Sequence, residues 1–198
     1  LWALVVISLI LGGLSGAAMG TAGGGLFQGI SALTTTGFSS VPTGELPAAA
    51  RWVLLIGMLI GGCGGSTAGG IKLFRLLALF ALARWLYARA HLPTEAEVPL
   101  RFWGEHFKAE EIMRMAAYVG VYLTVLATAT TALVYWGYGV EQALFEVASA
   151  QGTVGLSLGG TEATAPVGVK LILIALMWMG RLEILPVVLL LRKVAKRA

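Results

Sequence analysis

Charge is scarce in this sequence: lysine, arginine, aspartate and glutamate together make up 12% of its 198 residues, against about 25% in an ordinary soluble domain. A chain so poor in charge, 58% hydrophobic and with a mean hydropathy of +0.84, reads as a membrane protein. Cysteine is present once, as Cys63, so no disulfide can form within the chain. No histidine or cysteine lies near it to suggest a metal site or redox pair, and such a lone thiol is expected to be a small buried residue. The two histidines, His91 and His106, fall in the one long polar stretch and read as solvated side chains. No paired carboxylates, no nucleophile with its base and no metal cluster can be assembled, so catalysis has no support and no covalently bound cofactor is implied. The chain enters LWALVVISLI at Leu1 without an initiator methionine, basic leader or cleavage site, and is expected to be a piece of something longer.

What charge there is has a pattern. The net charge of +4 gathers above all at Arg192, Lys193, Lys196 and Arg197, with no aromatic residues interleaved, which is a topology signal and not a nucleic-acid footprint. No nucleic-acid partner is expected; the solvent is the lipid bilayer. Long apolar segments run over residues 1–19, 46–60, 71–90, 112–137 and 166–191. Three are long enough to cross a bilayer, which takes roughly 20 residues, and the pair at 46–60 and 71–90 would make one long span if joined. Two further apolar runs, GLFQGISALT at 25–34 and QALFEVASAQ at 142–151, are too short to cross and suit re-entrant helices.

The halves repeat. Placing Leu26 over Leu144 aligns LFQGISALTTTGFS with LFEVASAQGTVGLS at an offset of 118, with seven of fourteen positions identical: Leu26, Phe27, Ser31, Ala32, Thr35, Gly37 and Ser39. The same offset lays Gly62 on Gly180, so each half reads as outer helix, pore helix, extended segment and inner helix. The organisation expected is a first repeat over 1–90, a polar linker over 91–111, and a second repeat over 112–198 ending in a basic tail. Lys72, Arg75, Arg84 and Arg89 follow the first inner helix, whereas 39–50 and 152–165 contain no lysine or arginine. The linker and C-terminus are therefore cytoplasmic and the threonine-glycine segments face outward. Trp2, Trp52 and Trp136 near span ends fit an interfacial belt or ordinary packing.

TTTGF at 34–38 and GTVGL at 152–156 are where chemistry is expected. Backbone outside a helix is tolerated at membrane depth only where protein buries it or where it lines a water-filled cavity. An extended strand after a re-entrant helix meets that condition and offers carbonyl and threonine oxygens in place of an ion's hydration shell. The oxygens are neutral, which suits a monovalent cation. Glu146 stands where the other half has Gln28, so neither is a repeated filter carboxylate, and Glu45 and Glu162 read as outer-mouth or solvated loop charges. A simple loop joining two helices is the alternative to a pore strand at either place.

GGCGGSTAGGIK at 61–72 breaks the first inner helix with six glycines in ten residues, each costing a helix interior roughly 0.5–1 kcal/mol relative to alanine. A phosphate-binding loop fails, because Lys72 is preceded by Ile71 and followed by Leu73, and a dinucleotide fingerprint fails because it needs glycine where Thr67 stands. Close helix packing through Gly61, Gly65 and Gly69 remains an alternative. Arg181, in MWMGRLEILP, lies some fifteen residues into a span starting near Pro166, where a lone charge costs about 2.5–3.5 kcal/mol. It must face water or a partner, or snorkel to the interface; Glu183, two positions on, points elsewhere on a helix. Lys72 admits the same readings.

TTTGFS, GGCGGSTAGGIK and TVGLS together resemble the motifs of the Trk, Ktr and HKT superfamily of potassium transporters, most closely its TrkH type. The resemblance covers essentially the whole chain but only the family's C-terminal half. It implies an all-α membrane protein carrying the third and fourth of four outer helix, pore helix and inner helix repeats around one pore. Filter strands are implied at Thr35, Thr36, Gly37 and Phe38 and at Thr153, Val154, Gly155 and Leu156, with potassium as the transported ion. Plant members with serine at a filter glycine are linked with sodium permeation, and both positions here are glycine. The resemblance further implies that Gly61, Gly62, Gly64, Gly65, Ser66, Thr67, Gly69 and Gly70, with Lys72 beside them, form an intramembrane gating loop. Arg181 would sit just below the filter as a fixed positive charge. Partners implied are the N-terminal half of the same polypeptide, a second copy in a homodimer, and a cytosolic nucleotide-binding ring, all at a bacterial cytoplasmic membrane. Channel-like and proton- or sodium-coupled transport both stay open. A potassium-binding membrane subunit of a potassium-pumping ATPase shares the pore architecture and is the alternative, but usually has no equivalent of the glycine block.

Overall fold

The computed structural model describes residues 2–19, 22–91, 101–102, 105–106, 109–161 and 165–182. Among them seven α-helices follow one another: α1 (Trp2–Met19), α2 (Ala22–Leu33), α3 (Ala48–Ile60), α4 (Leu73–Ala90), α5 (Ala109–Tyr135), α6 (Val140–Gln151) and α7 (Val167–Leu182). The rest is loop, a 3-10 turn at Thr43–Glu45, and one antiparallel pair, β1 (Arg101–Phe102) with β2 (Glu105–His106), joining Arg101 to His106 and Phe102 to Glu105. That pair lies in the polar linker, where two short extended pieces satisfy each other's backbone groups outside the hydrocarbon. The second inner helix, expected over 166–191, is described as far as Leu182; Glu162, Glu183 and the basic tail Arg192, Lys193, Lys196 and Arg197 lie outside the described residues.

Among the described residues the helices run from 12 residues in α2 and α6 to 27 in α5. The 27 residues of α5 span about 40 Å at 1.5 Å each, more than the roughly 30 Å of a bilayer core. The 12 residues of α2 and of α6 span about 18 Å and stop partway. α5 carries four threonines among its apolar residues, and each hydroxyl is turned back onto the carbonyl one turn earlier: Thr124 on Gly120, Thr128 on Thr124, Thr130 on Leu126 and Thr131 on Ala127, at 2.7–2.9 Å. The hydroxyls are thereby satisfied within their own helix, as a bilayer requires.

Each short helix is held between longer ones. α2 packs on α1 and α3, α6 packs on α5 and α7, and the halves join where α3 meets α6 and where α4 meets α5. One buried apolar cluster runs through the first joint, with Leu54 and Met58 of α3, Leu133 of α5, Phe145 and Val147 of α6, and Leu173 and Leu176 of α7. Positions related by the 118-residue offset share burial: Ala32 with Ala150, and Met58 with Leu176. A smaller cluster of Ile71, Tyr118, Val119 and Tyr122 closes the seam between α4 and α5.

The tightest helix approach is made by Gly180 of α7. A Cβ there would overlap the Gln151 carbonyl oxygen at the end of α6 and come within 3.2 Å of the Thr153 methyl. Gly120 of α5, by contrast, has open space around it. Gly180→Ala is therefore expected to lower stability by about 1–3 kcal/mol, while Gly120→Ala is neutral or stabilises by up to about 1 kcal/mol. Thermal unfolding of the detergent-solubilised protein separates the two; equal effects would refute the close α6–α7 contact.

Candidate functional site

The two extended segments begin in the same way. At the end of α2 the Thr36 N–H donates to the Ser31 carbonyl at 2.9 Å and the Thr35 N–H to the Ala32 carbonyl at 3.3 Å. At the end of α6 the Val154 N–H donates to Ser149 at 2.9 Å and Thr153 to Ala150 at 3.1 Å. Both are Schellman ends, the 6→1 and 5→2 bonds that close a helix when the residue after its cap turns left-handed. That residue is usually glycine, yet here it is threonine both times, Thr35 at φ +55° and Thr153 at φ +52°. A β-branched residue in this region is strained by about 1–3 kcal/mol. Its hydroxyl is what glycine lacks, and neither hydroxyl makes a hydrogen bond to another described residue. Two positions on, Gly37 and Gly155 take φ +80° and +98°, where a side chain would be strained again. Gly37 also lies so close to the Val154 carbonyl that a Cβ would overlap it, so the two segments run side by side; beside Gly155 the space is open. Phe38 and Gly155 are exposed, while Val154 and Leu156 are buried against the core.

Behind the segments lies a set of braces that sequence reading did not assign. Gln28 of α2, fully buried, donates from Nε2 to the Ser39 hydroxyl and to the Val41 carbonyl, both at 3.0 Å. At the equivalent place Glu146 of α6, also buried, accepts from the Ser157 hydroxyl at 2.6 Å and from the N–H groups of Leu158 at 2.8 Å and Gly160 at 3.2 Å. Ser31 donates to the Phe38 carbonyl at 2.6 Å, and Ser149 accepts from the Gly155 N–H at 3.1 Å. The signal was available, since Ser31 and Ser39 are two of the seven identities in the repeat. A buried carboxylate receiving three donors is a strong holder of loop backbone. Glu146 thus fixes the second segment from behind, while Gln28 does the same by donating.

The glycine block leaves the inner helix and returns to it. The Ile71 N–H donates to the Leu59 carbonyl at 3.0 Å and Lys72 to Ile60 at 2.9 Å, the bonds an uninterrupted helix would make if eight residues were removed. Residues 61–70 are therefore an excursion pinched at its base. There a Cβ on Gly61 would overlap the Gly69 carbonyl, and one on Gly69 would overlap the Gly152 carbonyl and meet the Thr153 hydroxyl at 2.9 Å. The base is wedged against the start of the second extended segment, and the far end, Cys63 to Thr67, is exposed. Cys63 is accordingly not the buried residue expected: it projects with the excursion instead of packing in a helix wall.

Arg181 reaches this excursion. Its Nη1 donates to the Thr67 carbonyl at 3.0 Å, linking α7 to the exposed end of the block 114 residues earlier. A cleft of about 420 Å³ runs from Glu146 and Ser149 along Thr153, Gly155 and Ser157 to Arg181, so the charge and the second segment share one cavity. Lys72 starts α4 at φ +71° and lies outside that cavity. Among the described residues no group of three histidine, cysteine, aspartate or glutamate side chains converges; Glu146 is the carboxylate that lines this cavity, and it is held by three donors.

The sequence pattern of the TrkH family, cation transport protein, matches residues 15–197. An uncharacterised cation transporter of Methanocaldococcus jannaschii is 32% identical over 170 residues, covering 83% of this chain and 35% of its own length. The potassium/sodium uptake protein NtpJ of Enterococcus hirae is 32% identical over 169 residues, covering 83% of this chain and 36% of its own. The Trk system potassium uptake protein TrkH of Escherichia coli K12 is 31% identical over 170 residues, with 83% and 34% covered. The chain thus spans about a third of the length of these relatives. In three dimensions it superposes on the crystal structure of the potassium transporter TrkH from Vibrio parahaemolyticus with a TM-score of 0.80 and 27% identity, over 95% of this chain and 42% of that one.

The strained threonines give a measurement. Thr35→Gly removes a left-handed penalty of about 1–2 kcal/mol and adds about 0.5–1 kcal/mol of chain entropy, so unfolding of the variant is expected at equal or higher temperature than wild type. Destabilisation by more than about 1 kcal/mol would show that the Thr35 side chain packs instead of bearing strain.

Proposed function

Since the chain belongs to the TrkH family of cation transport proteins, we propose that it supplies two of the four repeats of a membrane pore for potassium uptake. Thr35 to Phe38 and Thr153 to Leu156 are its selectivity strands. The observation that carries the proposal is the duplicated backbone: left-handed threonine, then glycine at positive φ, at positions 118 apart, with one strand against the other. A strained threonine kept where glycine is cheaper is explained if its hydroxyl serves the ion, and strain of this kind collects at functional sites. The strands themselves offer carbonyl and hydroxyl oxygens, which fit a weakly hydrated monovalent cation, while the Glu146 carboxylate is engaged with the loop behind. Glycine at both strand positions favours potassium. The relatives named for potassium or potassium/sodium uptake point the same way.

The excursion at residues 61–70 is the gate, and Arg181 its tether. The loop's base leans on Gly152 and its outer end on the Arg181 guanidinium, so its freed backbone is met within the protein. The fixed charge and the movable loop, which sequence reading treats as separate obstacles, are then one device. A pump subunit without such a block would have no partner for Arg181. The remaining two repeats complete the pore from the rest of the polypeptide. The linker 91–111 and C-terminus face the cytoplasm of a bacterial inner membrane, where a nucleotide-binding ring and a second copy of the protein dock.

Two flux measurements on the full-length protein in proteoliposomes test these assignments. Gly37→Ser should lower potassium over sodium selectivity by roughly tenfold, the equivalent of 1.4 kcal/mol; unchanged selectivity removes Gly37 from the filter. Arg181→Ala should raise basal rubidium uptake by roughly tenfold, the worth of one charge-assisted hydrogen bond of about 1.5 kcal/mol. Arg181→Gln, which keeps a donor for the Thr67 carbonyl, should lie between. If Gln and Ala variants conduct equally, the arginine acts by charge alone and the tether is wrong.

A further inference from the structure

A second cleft, of about 480 Å³, shares no lining residue with the extended segments' cavity. Its walls come from three pieces of chain that sequence separates. Gly64 and Gly65 of the excursion form one edge; Lys72, Phe74 and Arg75 of the first turn of α4 form the floor; Glu111, Arg114, Met115 and Tyr118 of α5 form the facing wall. Three cations thus converge on one cavity with a single carboxylate. The arrangement is held from within: the Arg75 guanidinium lies 3.9 Å from the centre of the Tyr118 ring, and Tyr118 is itself buried in the α4–α5 seam. A Cβ on Gly64 would stand 3.1 Å from that of Phe74, so the turn of the excursion rests on the same floor.

We propose that this cleft binds the phosphate of an anionic phospholipid headgroup, and that an occupied cleft steadies the excursion from its cytoplasmic side. The volume falls in the range of small-ligand pockets and exceeds what a bare ion needs. Positive residues following the inner helix set this end of α4 and the start of α5 on the cytoplasmic side, where anionic lipids concentrate and where basic pockets between membrane helices take lipid headgroups. Acyl chains have somewhere to lie, since Met113 beside Arg114 is 66% exposed and Phe80, two turns along α4, is 71% exposed. A soluble phosphate would use the three cations but gain nothing from those apolar neighbours. Because Gly64 and Gly65 touch the cleft, a headgroup makes contacts that depend on where the excursion sits, which is the condition for a ligand to bias a gate. Binding stands independently of the pore reading; the effect on flux rests on it.

The test uses the full-length protein, phosphatidylglycerol or phosphatidylcholine as lipid probe, and inorganic pyrophosphate as soluble probe. Native mass spectrometry should show phosphatidylglycerol retained over phosphatidylcholine, and Arg75→Gln with Arg114→Gln should weaken retention roughly 25-fold, about fivefold per charge. The Lys variants at both positions should restore most of it. Should the double variant not fold, Arg114→Gln alone, on an exposed position of α5, should still cost about fivefold. Equal retention of the two lipids by wild type, or no loss in the Gln variants, overturns the site; pyrophosphate binding without lipid preference assigns it to a soluble phosphate and overturns it as a lipid site. In proteoliposomes, basal rubidium flux should change with phosphatidylglycerol content in wild type and less in the Gln variant. A flux insensitive to lipid in both overturns the steadying of the excursion. Wild type that binds phosphatidylglycerol yet conducts in no lipid sinks the pore reading and leaves the site standing.

Discussion

Backbone that leaves a helix inside hydrocarbon must find its hydrogen bonds within the protein, and the rest of this structure follows from how that demand is met twice. Each pore helix is only 12 residues long, so its last carbonyls and the strand beyond it stand at depth. The Schellman ends absorb two of those carbonyls, at Ser31 and Ala32 and at Ser149 and Ala150. Buried Gln28 and Glu146 then reach back to secure the strand's far end, through Ser39 and Ser157. Between these anchors lie Thr35, Gly37 and Thr153, and Gly155, which Ser149 holds through its N–H. Apart from the Phe38 carbonyl, which Ser31 holds, the oxygens proposed for an ion are ones the scaffold does not consume.

The repeat is close in scaffold and divergent in device. Helix ends, left-handed threonines and buried core positions recur at the offset of 118. The brace behind the strand changes from an amide that donates to a carboxylate that accepts, which reverses the loop groups it must face: a hydroxyl and a carbonyl in the first half, a hydroxyl and two N–H groups in the second. A carboxylate in the first position would meet the Val41 carbonyl unfavourably, so each brace is fitted to its own loop. The inner helices diverge further. Both put a glycine against the Gln151–Thr153 corner, Gly69 from the excursion and Gly180 from α7, and the chain at that corner has contact on both sides.

Much of this was legible in sequence because it depends on period, length and repetition. Segment lengths separate spanning from re-entrant helices, and the identity of seven positions in fourteen puts the two strands in register. Three things were not legible. Thr35 and Thr153 belong to a class disfavoured in left-handed conformations, so propensity would assign the turn to a neighbouring glycine. Glu146 and Gln28 do not match across the repeat, so the sequence does not mark them as a pair, although hydrogen bonding needs complementarity to a local loop and not identity between halves. The contact of Arg181 with Thr67 spans 114 residues, and no local rule reports it. Cys63 shows the reverse error: composition assigns a free cysteine to the interior, but a cysteine in a pinched-off excursion has no interior to enter.

The excursion proposed above as a gate has a structure that sets how strongly it would be held. Its base is interlocked glycine backbone, where Gly61, Gly69 and Gly152 leave no room for a side chain, and the part from Cys63 to Thr67 is exposed. Among the described residues, that part is held to α7 by one hydrogen bond from a charged donor. Such a bond is worth about 1.5–3 kcal/mol, a ratio of roughly 10 to 150 between held and released populations. A gate fixed by a packed hydrophobic interface would need far more to open. A gate with no tether would leave the pathway open in a substantial fraction of molecules. One hydrogen bond on a loop with a rigid base gives an intermediate ratio, within the 1–3 kcal/mol by which a partner or ligand at a second site ordinarily shifts an equilibrium.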